Sequence, residues 1–99
     1  MKDEREMREM KVKVKLDDTV AQGMYVNLAL VNHSQSEFTI DAMYVQPQQP
    51  LATVRARLIS SPQHTKRLLV ALQENIRRYE ERFGPIELSG PDPADLLLQ

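Results

Sequence analysis

Two alternating runs decide the fold: Met24-Tyr25-Val26-Asn27-Leu28-Ala29-Leu30-Val31, and Glu37-Phe38-Thr39-Ile40-Asp41-Ala42-Met43-Tyr44-Val45-Gln46. Between them lies His33-Ser34-Gln35-Ser36, a polar connection of hairpin length. Period-two alternation is the mark of a half-buried strand, because successive side chains leave opposite faces. Working outward, Lys11-Val12-Lys13-Val14-Lys15-Leu16 alternates too, before Asp17-Asp18-Thr19 turns the chain and Gly23 opens the second strand. Downstream, Pro47-Gln48-Gln49-Pro50 breaks the pattern, since proline cannot donate within a central ladder. Thr53 to Ile59 then reads as a further strand, with Val54, Ala56 and Leu58 opposite Arg55 and Arg57.

After Ile59 the period changes. Leu69, Leu72, Ile76, Tyr79 and Phe83 recur at spacings of three and four, with Leu68 and Thr65 on the same arc. Ser61 suits an N-cap, Pro62 the first helical position, and Gly84-Pro85 a stop. Glu74 with Arg78, and Arg77 with Glu81, are placed to pair one turn apart on the polar side. The expected architecture is therefore α+β: a four-stranded antiparallel sheet in ββββα order, with one long C-terminal helix packed on one face. Residues 1–10 read as a charged arm, 11–86 as a single domain, and 87–99 as an extended, proline-containing tail.

The inner sheet face is expected to carry Val12, Val14, Met24, Val26, Leu28, Leu30, Phe38, Ile40, Tyr44, Val54 and Leu58. The outer face would then hold Tyr25, Ala29, Val31, Met43, Val45 and Ile59 among Asn27, Thr39, Asp41, Arg55 and Arg57. A mixed apolar face left uncovered by a single helix suggests a surface for self-association or for a partner. Tyr25, Val31, Met43, Val45 and Ile59 are the candidate contact residues.

Composition excludes more than it reveals. The chain has 99 residues, 41% hydrophobic and 27% charged, with no cysteine and a formal net charge of -1. Without cysteine there is no disulfide framework, zinc finger or thiol nucleophile. Near-neutral charge argues against a protein devoted to coating nucleic acid. The longest apolar run, Leu68 to Leu72, is too short to span a bilayer. The N-terminus carries charge where a secretory signal needs an apolar stretch, so a cytoplasmic location is expected.

Chemistry-bearing residues are sparse. His33 sits beside Ser34, Ser36 and Glu37, but neighbours in a tight turn diverge and do not form a catalytic triad. Serine hydroxyls bonding the backbone explain that turn better. His64 falls in the helix's first turn, where local hydrogen bonding is expected. Three glycines leave no phosphate-cradling loop. The expectation is a non-enzyme with no cofactor and no metal. A second possibility is a cationic stripe of Lys11, Lys13, Lys15, Arg55 and Arg57, with Tyr25 available to stack on a base. The tail's Leu96-Leu97-Leu98 is open to docking on a partner or on its own domain.

Several blocks together resemble a family. They are Leu16-Asp17-Asp18, Val20 to Leu28, Asn32 to Phe38 with Asp41, Ser61 to His64, Lys66 to Leu69, and Ala71 to Ile76, continuing through Tyr79, Phe83 and Gly84. Over residues 12–86 the chain resembles the small bacterial domain-of-unknown-function family 3467. That resemblance brings no established activity; some members associate with genes neighbouring an RNA polymerase subunit, implying a transcription-linked accessory role at most. In element order alone the chain is also similar to the export chaperone SecB, whose protomers pair through sheets and helices. The leading expectation is a protein–protein interaction or assembly module, a homodimer using the outer sheet face. The alternatives are a transcription or nucleic-acid accessory, and a SecB-like chaperone for unfolded segments.

Overall fold

The structure, a computed structural model, describes residues 11–90. Its elements run α1 (Asp18–Ala21), β1 (Leu28–His33), β2 (Phe38–Val45), β3 (Ala52–Ser60) and α2 (Pro62–Phe83). The three strands form one antiparallel sheet in the order β1-β2-β3, so the α+β class and the single long C-terminal helix stand. The arm at 1–10 and the leucines of the tail lie outside the described residues.

The hairpin between β1 and β2 closes with His33 opposite Phe38. Its loop is held by Ser34. The Ser34 N–H donates to the Glu37 carbonyl at 2.9 Å, while Ser34 Oγ accepts from the N–H groups of Ser36 and Glu37 at 3.3 and 3.2 Å. At the other end of β1, Asn27 uses its side-chain amide as a substitute peptide. Asn27 Nδ2 donates to the Val45 carbonyl at 3.0 Å, and the Val45 N–H donates to Asn27 Oδ1 at 2.8 Å. Both ends of the hairpin are thus fixed by polar side chains bonding the backbone.

Three expectations need correction. The first is the fourth strand, which is not shown: among the described residues Lys11 to Leu16 pairs with no strand, and Val12, Val14 and Leu16 are 83%, 92% and 66% exposed. Alternation specifies which side chains share a face, but a strand also needs a neighbouring edge for its N–H and C=O groups. The second concerns phase. Leu28 lies opposite Met43 and Leu30 opposite Asp41, whereas Val31 lies opposite Ile40. Leu28 and Leu30 therefore share a face with Thr39, Asp41, Met43 and Val45, not with Phe38, Ile40 and Tyr44. A one-residue slip in pairing reverses every side chain of a strand, and alternation alone does not set that register. A further shift between Ala42 and Met43 carries the ladder past Arg55 on β3.

The third correction is the helix. Ser61 alone separates β3 from α2; its backbone is extended and its side chain accepts from the His64 N–H at 3.1 Å. Pro62 follows at the start of the helix, and Gly84, at φ 97°, ends it. Capping and stop signals are as expected, but α2 does not lie across the sheet: among the described residues the extensive contacts between elements are those of β2 with β1 and β3. Leu69, Leu72, Ile76, Tyr79 and Phe83 stay 51%, 53%, 46%, 50% and 63% exposed. Met43, at 5%, is the buried hydrophobic side chain of the described residues.

Removing the N-cap tests this account. Ser61→Ala should lower stability by about 1 kcal/mol and Ser61→Asp should restore most of it, read by urea denaturation at fixed protein concentration. Asn27→Ala should cost about 1 kcal/mol as well, because the Val45 N–H and C=O lose their side-chain partners.

Candidate functional site

Helix α2 presents two chemically different sides. On one, Arg77 pairs with Glu74 at 2.6 Å and with Glu81 at 2.5 Å, and Arg78 reaches Glu74 at 3.3 Å. The two pairs expected one turn apart are both present. Exposed pairs of this kind add little stability each, yet they keep this side hydrated. The other side is the apolar stripe from Thr65 through Phe83, with Tyr79 and Phe83 packed ring to ring at 5.0 Å.

At its base the stripe meets the sheet. Pro62, Thr65, Lys66 and Leu69 line an open cavity of about 500 Å³ with Val31 and Phe38. The two sheet residues come from the face that also carries Ile40, Ala42, Tyr44 and Leu58. On that face His33 stacks on Phe38 at 5.4 Å, Tyr25 meets Tyr44 edge-on at 6.1 Å, and the Arg55 guanidinium lies over the Tyr44 ring at 4.8 Å. An apolar helix stripe, an apolar cavity and an aromatic sheet face are therefore continuous around the β3–α2 corner.

The opposite sheet face is organised by one ion pair. Arg57 Nε and Nη2 donate to Asp41 Oδ1 and Oδ2 at 2.7 and 3.0 Å, directly across the β2–β3 ladder. Asp41 is 5% exposed, beside the equally buried Met43. The Arg57 hydrogen bond holds the Asp41 carboxyl below its ordinary value of 3.8, against an opposing push from desolvation. The same bond raises the Arg57 pKa.

The proposed contact residues do not form one surface. Met43, Val45 and Ile59 share the Asp41 face, whereas Val31 and Tyr25 belong to the aromatic face. The cationic stripe is likewise dispersed. Arg57 is engaged by Asp41, Arg55 lies over Tyr44 on the other face, and Lys11, Lys13 and Lys15 precede the sheet, with Lys15 3.4 Å from Asp17. Of the two histidines, His33 contributes a stacked ring and His64 a backbone donor to the cap. Among the described residues no three His, Cys, Asp or Glu side chains gather as a metal site. Nor is any described helix long and apolar enough to cross a membrane. The helix stripe, expected to cover the sheet, stays exposed, because helical spacing defines an apolar side without saying what that side meets.

Fold and surface together define a small sheet-and-helix unit in which the apolar side of α2 stays exposed. The chain belongs to the family described as "Protein of unknown function (DUF3467)", whose family model matches residues 1–88. No curated protein and no solved structure matches the chain.

Asp41 sets a pH dependence. A carboxyl whose folded pKa lies below its unfolded value stabilises the fold above about pH 4, and that contribution disappears as pH falls through the folded value. Stability should therefore decline in acid below pH about 4, and Asp41→Asn should flatten that limb while lowering stability at pH 7, as followed by circular dichroism across a pH series.

Proposed function

We propose that this protein is a non-enzymatic interaction and assembly module. The observation supporting this reading is the burial pattern: Met43 and Asp41 are the buried residues described, while a whole helix stripe and a sheet face remain open. A domain of this length has little apolar area to spare, and small folds commonly complete their burial by associating. Side chains such as Leu72, Ile76 and Tyr79 at helical spacing gain their stabilisation from being covered, at about 25 cal/mol per Å² of apolar surface removed from water. The separation of ion pairs onto the far side of α2 keeps the apolar side clear for a protein surface.

Association that completes the fold couples unfolding to protein concentration. The thermal midpoint should rise by several degrees over a hundredfold increase in concentration, and sedimentation should show a species larger than one chain. A single chain unfolding cooperatively at a midpoint independent of concentration would remove the basis for the proposal.

A further inference from the structure

The spacing within the stripe is tighter than an ordinary amphipathic helix requires. Thr65, Leu69, Leu72, Ile76, Tyr79 and Phe83 follow one another at intervals of four, three, four, three and four residues. That is the a/d seam of a coiled coil, which repeats every 3.5 residues and is covered by another helix, whereas a globular helix on a sheet shows a broader stripe. The helix's own ion pairs among Glu74, Arg77, Arg78 and Glu81 all lie away from this seam. The seam is flanked on one side by Lys66, Gln73 and Glu80, and on the other by Leu68, Asn75 and Arg82.

The geometry points to a second copy of this chain as the occupant, with the two α2 helices pairing antiparallel about a two-fold axis at the level of Glu74. This rests on the interaction-module reading and names the partner and register. Three observations converge on it. First, antiparallel pairing sets each aromatic ring against a smaller side chain: Phe83 of the second copy against Thr65 and Tyr79 against Leu69, with the similar-sized Leu72 and Ile76 meeting at the centre. Parallel pairing would instead stack Tyr79 on Tyr79 and Phe83 on Phe83. Second, the flank of Lys66, Gln73 and Glu80 is self-complementary in this register. Lys66 falls opposite Glu80 of the second copy, twice by symmetry, with Gln73 opposite Gln73 between them. Glu80 accepts from the Ile86 N–H at 2.8 Å through one carboxylate oxygen, Oε2.

Third, the register places an aromatic ring at a cavity. Phe83 of the second copy arrives at the Thr65 level, where Thr65, Leu69, Val31 and Phe38 line the open cavity of about 500 Å³. The cavity is large enough for a phenyl ring, and its walls are apolar. The five exposed seam residues from Leu69 to Phe83 in two copies supply on the order of 1,000 Å², the lower bound for a specific interface, before the sheet face at the corner is counted.

The chain has no cysteine, so single cysteines report the register directly. Leu72→Cys and Ile76→Cys are each prepared, then unfolded together, refolded as a mixture and mildly oxidised. In the antiparallel register the expected product is a disulfide between the two different variants. Neither variant alone should cross-link, because like positions sit about 6 Å apart along the helix axis, adding to their lateral separation. Self-cross-linking of each single variant overturns the antiparallel register. A chain that sediments as a dimer but yields no mixed disulfide overturns helix pairing and leaves the assembly reading standing; a monomer removes both. Because cysteine in the seam could disturb packing, charge exchange gives a second measure. Lys66→Glu should weaken the dimer about five- to tenfold, and adding Glu80→Lys should recover most of that loss. Failure of the recovery, with both variants folded, also counts against the register.

Discussion

The single-residue junction between β3 and α2 governs this structure. Ser61 is extended, its hydroxyl caps the helix, and Pro62 commits the chain to helical dihedrals at once. Connections that lay a helix back on its own sheet generally use several residues to reverse direction. With one residue available, the first turns of α2 reach Val31 and Phe38, and among the described residues the apolar stripe continues with no strand beneath it. The open cavity, the exposed seam and the uncovered aromatic face all follow from that corner.

Among the described residues, the sheet is secured more by polar bonds than by buried apolar side chains. Its central strand takes hydrogen bonds from both sides, and β2 carries the most buried positions because neighbours flank it on either edge. Asp41 and Arg57 lock the β2–β3 register with two charge-assisted bonds, and Asn27 ties the β1 end to Val45. A bidentate guanidinium–carboxylate pair is directional, so it selects one register more sharply than apolar contacts do. Such polar fastening holds three strands together while apolar side chains such as Leu58, Leu72 and Ile76 stay exposed.

Much of this was legible in the residues. The Ser34 turn, the Ser61–Pro62 start, the Gly84 stop and the two ion pairs around Glu74 all depend on chemistry within a few residues, and all occupy their expected places. Three strands of the sheet were also readable from alternation, to within a residue at most boundaries of β2 and β3. The errors share one origin. Lys11 to Leu16 alternates as well as any strand, but among the described residues no strand edge receives it. The phase between β1 and β2 was placed one residue out, which scattered Val31 and Tyr25 away from Met43, Val45 and Ile59. The candidate contact residues therefore lie on two sheet faces, and the exposed apolar stripe of α2 adds a further surface.

Local sequence, taken alone, determined where the helix begins and ends, which of its sides is apolar, where the hairpin turns, and that the chain is α+β. Those properties arise from dihedral preferences, capping hydrogen bonds and side-chain period, which act within one element. Tertiary structure decided which strands pair, which residues share a face, and that α2 leaves the sheet. These depend on register and on the direction of the chain through Ser61, quantities that join residues far apart in sequence and that no single element contains.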